Sequence, residues 1–176
     1  MIYVGIDPGV SGALCELDGD TREVHFYDTP TVQYKSGKTF KNALNIPECV
    51  LMLQQLSAGR DVKVTIEKVN AMPPRSFEKD GERVEIRAMG VTSAFNFGKG
   101  YGIWLGILGA LLIPFDEVAP VTWKSTIMAG MGREKDASRI KAMQMYPRTA
   151  PDLKLKKHHG RADALMLAEY GRRNYF

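Results

Sequence analysis

Ile2-Tyr3-Val4-Gly5-Ile6-Asp7-Pro8-Gly9 opens the chain with a β-rich run that proline and glycine bring to a stop. Gly12 to Leu17 reads as a second strand, Asp18-Gly19-Asp20 as a turn, and Glu23 to Tyr27 as a third strand, giving an antiparallel meander. Residues 31–44 are polar and read as a loop. Asn45 stands where it can cap a helix whose apolar residues Ile46, Cys49, Val50, Leu53 and Leu56 recur three or four apart, ending at Gly59. Val62 to Ile66 is a strand closing on Glu67, and residues 70–87 read as an exposed excursion. A glycine-rich helix is expected over Val91 to Leu111, then a strand over Ile113 to Val118. Helices follow over Val121 to Met128, over Glu134 to Tyr146 with Ile140 and Met143 on one face, and over Arg161 to Arg172. This order predicts one α/β domain spanning 1–176, a five-stranded mixed sheet with helices on both faces.

At 176 residues, with 44% hydrophobic and 25% charged, the composition is that of an ordinary globular chain. The longest apolar stretch, Ile103 to Phe115, is broken by Gly106, Gly109 and Pro114 and falls short of the roughly 18 residues a membrane span needs. No basic segment precedes an apolar one at the start, so no signal peptide is expected, and Cys15 and Cys49 read as reduced core residues. The expectation is an intracellular protein. Residues 1–120 carry 12 Lys+Arg against 15 Asp+Glu, whereas 121–176 carry 12 against 5. A cationic last third fits either a polyanionic partner such as nucleic acid or a solvated basic face.

Three carboxylates are candidates for chemistry. Asp7 directly follows an apolar strand and precedes tight-turn glycines, where a metal ion or a simple Asp turn would account for it. Glu67 repeats that placement at the end of its strand; if the two strands are parallel neighbours, the acids converge at the edge where α/β sheets form sites. Asp163 falls in the first turn of the last helix, where the helix dipole alone favours an acid. His159 lies one helical turn before it, and His158 reads as solvated or DNA-facing. Three acids make a hard oxygen site suited to Mg²⁺, with Mn²⁺ as a substitute, and able to support phosphodiester hydrolysis. No G-x-S-x-G is present and neither cysteine neighbours a histidine, so no nucleophilic triad competes.

IDPGVSGA with Asp7, IEKV with Glu67, FNFGKGYG and the closing HHGRADALMLAEYG together resemble the RuvC-like Holliday-junction resolvases of the ribonuclease H-like superfamily. The likeness runs from Ile2 to Gly171, and its motifs are specific jointly. The resemblance implies a ribonuclease H-like fold and a cytoplasmic homodimer, in a bacterial cell or a phage-infected host. It implies symmetric nicking of four-way DNA junctions, with Asp7, Glu67 and Asp163 as metal-binding catalytic acids. In that family a fourth ligand usually stands three residues before the last acid. Here that position is Gly160, which cannot ligate, and His159 is the nearest substitute.

The glycines of Gly98-Lys99-Gly100-Tyr101-Gly102 lack phosphate-loop spacing and read as letting a helix approach another closely. Phe77 between Arg75 and Lys79 has the composition for stacking on an unpaired base, or of an incidental surface loop. Lys124, Lys135, Arg139, Lys156, Lys157 and Arg161 are the candidate phosphate contacts. Three other readings compete: a ribonuclease H acting on RNA–DNA hybrids, an actin-like phosphate-binding module, and a catalytically inert DNA-binding protein. The actin-like module needs a chain about twice as long by domain count.

Overall fold

The computed structural model describes residues 1–70, 75–79, 82–86, 90–132 and 136–174, with 75–79 and 82–86 as strands alone. Lys135 and the side chains of Arg75, Phe77 and Lys79 lie outside the described residues. The meander is β1 (Ile2–Asp7), β2 (Ala13–Asp18) and β3 (Val24–Asp28), followed by β4 (Thr31–Ser36), β5 (Thr39–Leu44) and helix α1 (Ile46–Ser57). Next come β6 (Val62–Glu67), β7 (Arg75–Lys79), β8 (Glu82–Ile86), α2 (Val91–Ala110) and β9 (Phe115–Val118). The chain ends with α3 (Pro120–Ile127), α4 (Ala137–Met145), α5 (Ala150–Leu153) and α6 (His159–Asn174).

The main sheet has five strands in the order β3-β2-β1-β6-β9. β1 runs antiparallel to β2 and parallel to β6, and β6 runs parallel to β9. Alternation along the strands splits the core into two layers. Ile2, Val4, Ile6, Val62, Val64 and Ile66 face α1 and α2, packing on Leu53, Trp104 and Leu108. Ala13, Cys15 and Leu17 face the other way, onto Trp123 of α3, Ala142 of α4 and Leu165 of α6. Cys15 and Cys49 are buried free thiols in different layers, as read. Among the described residues no helix is long and apolar enough to cross a membrane.

Gly5 sets the height of α6 over the sheet. A Cβ there would lie 1.9 Å from the Ala164 carbonyl oxygen and 2.5 Å from the Ala168 nitrogen. Only a strand with no side chain at that point, facing a helix of Ala162, Ala164 and Ala168, allows backbone to approach backbone so closely. The approach brings the first turn of α6, with Asp163, down to the carboxyl end of β1. Farther along α6, buried Glu169 accepts from Arg22, Tyr146, Arg172 and Arg173, tying the β2–β3 turn and α4 to the helix. Despite its burial, these donors hold its carboxyl down at about 2.

Two expectations are corrected, for residues 31–44 and for Asn45, and two are filled out, for residues 70–87 and for α4. Residues 31–44 are not a loop but a β-hairpin, with Gly37 at φ +62° in its tight turn. Its strands lack a buried face, so no apolar alternation announces them. The excursion over 70–87 contains a second hairpin, in which Phe77 pairs with Val84. Asn45 occupies the helix-start position but makes no side-chain cap bond; its amide donates to Glu48 instead, at 2.6 Å. On α4 the buried positions are Ala137 and Ala142, while Ile140 is exposed.

Candidate active site

β1 and β6 end side by side. Ile6 pairs with Ile66, so Asp7 and Glu67 leave the sheet as neighbours at its carboxyl edge. This is the parallel adjacency on which their convergence depended. Asp163 enters from above on α6, and that helix begins at His159, which puts His159 and Asp163 one turn apart.

The electrostatics show that the three acids share one environment. Burial pushes the Asp7 carboxyl up to about 6; the Gly9 amide opposes this, Asp163 adds to it, and His159 and Lys124 oppose it. Glu67 is also raised by burial, against the pull of the Trp123 indole and Lys124, with Asp163 and Asp7 adding to the rise. Asp163 is raised by burial too, and Ser138, Lys124 and His159 pull it back. Such a group of acids is unfavourable until a cation joins it.

Each carboxylate is held on one side. The Gly9 amide donates to Asp7 Oδ1 at 3.2 Å, and Trp123 Nε1 donates to Glu67 Oε2 at 2.7 Å. Asp163 Oδ1 is buried with no hydrogen-bond partner. As the side chains lie, no three acid, histidine or cysteine groups among the described residues are close enough to share an ion. The donor set nevertheless fits a hard divalent cation: all-oxygen, half-buried, mutually repelling, with one orphaned carboxylate oxygen. The glycines beside it leave no slack. A Cβ on Gly12 would sit 2.9 Å from Asp7 Cγ, and one on Gly160 would sit 3.1 Å from Asp7 Oδ2 and 2.9 Å from the Ser11 carbonyl oxygen.

Lys124 belongs with the acids rather than with a remote phosphate track: it lines the same roughly 550 Å³ cleft as Ser138, His159 and Asp163. Its ammonium lies 4.9 Å from the centre of the Trp123 ring. Arg161 and Arg139 are committed internally. Arg161 forks onto Asp28 with both contacts at 2.6 Å, and Arg139 bonds Asp136 and the Leu153 carbonyl. Lys156 and Lys157 are exposed. Trp123 and Ser138 were not foreseen as site residues, since a tryptophan and a serine on short amphipathic helices carry no local signature of what they will hold.

The shifts carry a prediction for the metal-free protein. Asp7, Glu67 and Asp163 hold protons more tightly folded than unfolded, so the folded state is the more protonated between the ordinary Asp value of 3.8 and about 6. Stability therefore falls as pH rises through the upper part of that window, while Glu169, lowered from 4.5 to about 2, opposes the trend below about 4.5. The melting temperature without metal is expected to be higher at pH 5 than at pH 8. Adding Mg²⁺ at pH 8 should raise it by about 3 °C or more. A profile flat in pH and unmoved by Mg²⁺ would contradict the assignment.

No family model matches the chain. A stretch of 69 residues, 39% of this chain, is 36% identical to part of the chloroplastic Holliday junction resolvase MOC1 of Chlamydomonas reinhardtii. The match covers 8% of that relative's length. Over 98% of this chain and 96% of the other, the structure is similar to T. thermophilus RuvC in complex with a Holliday junction substrate, with a TM-score of 0.51 and 16% identity. The fold is RuvC-like, of the ribonuclease H type.

Proposed function

We propose that this protein is a divalent-metal-dependent endonuclease that resolves four-way and other branched DNA junctions. The observation that carries the reading is the convergence of three half-buried, proton-retaining carboxylates at the carboxyl edge of a RuvC-like sheet. The partial likeness to a Holliday junction resolvase supports branched DNA as the substrate class.

Asp7, Glu67 and Asp163, with His159 beside them, would hold Mg²⁺ or Mn²⁺. When bound, the cation supplies positive charge for the phosphate and lowers the pKa of water. The chain's own groups do the rest. Trp123 and the Gly9 amide fix the orientation of two carboxylates through the bonds described above. Lys124 is placed to attract the scissile phosphate into the cleft. The imidazole of His159 can take a proton from the attacking water.

We further read the protein as a homodimer through α2. Gly98, Gly102, Gly106 and Gly109 lie along one side of the helix, and a Cβ at any of them would meet nothing within 4 Å. The expected close approach is therefore not made among the described residues; it is left for a second copy, along a shallow apolar groove lined by Ile46, Ile103, Gly106 and Ala110. Gly106→Leu is expected to yield a folded monomer by light scattering, because the space within the protomer is open and the helix itself gains about 1 kcal/mol. Paired nicking should then give way to single nicks. A dimer that survives the substitution would place the interface elsewhere.

Cleavage of a synthetic four-way junction beside linear duplex and an RNA–DNA hybrid, with Mg²⁺, Mn²⁺ or EDTA, tests the reading. Preference for the junction and inhibition by EDTA support it. Preference for the hybrid would make the protein a ribonuclease H instead.

A further inference from the structure

We propose that the β4–β5 hairpin is a second DNA-contacting element, seated at the active-site edge of the sheet; this rests on the proposed function. Its lysines engage backbone phosphates, and Phe40 lies against an unpaired base at the branch.

The placement follows from register. Asp7 pairs with Ala13 and Ala13 with Asp28, so the end of β3 shares an edge with the catalytic end of β1, two strands or about 10 Å away. The hairpin springs from that point. The Thr29 amide donates to the Gly12 carbonyl at 3.2 Å, and the Asn45 amide donates to that of Pro30 at 2.9 Å, clamping its base beside the glycine turn that follows Asp7. Strands of six residues reach about 20 Å. The tip thus stays within about 30 Å of Asp7, less than one turn of duplex.

The chemistry points to nucleic acid. Lys35, Lys38 and Lys41 stand in a segment with no acid between Asp28 and Glu48. Tyr34 pairs with Lys41 and Lys35 with Phe40, so the two cross-strand pairs next to the Ser36–Thr39 pair at the tip each join an aromatic to a cation. Residues 31–35 and 37–42 are all exposed, and Phe40 is 71% exposed. A two-stranded hairpin in water is marginal on its own, and an aromatic so exposed gains little within the protomer. Phosphates for the cations and a base face for the ring satisfy both.

The test compares wild type, the triple variant Lys35→Ala/Lys38→Ala/Lys41→Ala, the matching triple arginine variant and Phe40→Ala. Binding to a four-way junction and to linear duplex is measured across a salt series without metal. Losing three phosphate contacts is expected to reduce the log–log salt slope by about 2.7 on both DNAs, and the arginine variant should restore it. Phe40→Ala should weaken junction binding about tenfold and duplex binding little. A triple alanine variant with the wild-type slope overturns the proposal. So does loss of a dimer in that variant, which would assign the hairpin to a second copy. Equal weakening of junction and duplex by Phe40→Ala overturns the stacking contact. Wild-type protein that does not prefer the junction refutes the functional reading separately, because the slope on linear duplex still reports on the lysines.

Discussion

Asp7→Asn is expected to cut four-way junctions at least about a thousandfold more slowly than wild type while binding them as tightly. The substitution keeps shape and the Gly9 amide contact but removes one of the charges that make the site attractive to a cation. Losing several kcal/mol of charge stabilisation in the transition state corresponds to that factor. DNA affinity should persist, because the exposed cations are untouched. A second readout separates loss of metal from loss of fold. Neutral Asn removes a carboxylate whose pKa burial and Asp163 have driven to about 6, so the metal-free variant should be at least as stable as wild type at pH 8. Its Mg²⁺-dependent rise in melting temperature should largely vanish. Cleavage at the wild-type rate would remove Asp7 from the metal site.

The elements of the main sheet were legible because each is a short β-rich run punctuated by Gly, Pro or Asp, and because the central strands are rich in buried apolar residues. Convergence of Asp7 and Glu67 was legible as a condition on strand adjacency, which only the register could satisfy. What stayed hidden depends on partners distant in sequence. Gly5 looks like any strand glycine until Ala164 is above it, and Trp123 looks like core until its indole meets Glu67. Arg161 reads as a free cation beside Lys156 and Lys157, yet Asp28, over 130 residues away, takes its guanidinium. The β4–β5 hairpin escaped for the opposite reason: both its faces meet solvent, so periodicity had no buried side to report.

The same packing decides what His159 can be replaced by. His159→Ala is expected to lower junction cleavage by one to two orders of magnitude, the usual scale of general-base assistance. His159→Asp should retain much more activity if the role is ligation, since carboxylates also bind Mg²⁺. Moving the acid one residue on, to position 160, should fail. A Cβ at Gly160 would lie 2.9 Å from the Ser11 carbonyl oxygen and 3.0 Å from Gly12 Cα, both backbone atoms of the turn that follows Asp7. Neither can yield without displacing Asp7 or lifting α6, and Gly5 holds α6 hard against β1. His159→Ala/Gly160→Asp should therefore be no more active than His159→Ala and less stable by about 1–3 kcal/mol. Rates and melting temperatures of the three variants check this. Recovery of activity in the double variant would mean that α6 can shift on the sheet, and that glycine at 160 is not what forces the ligand back to His159.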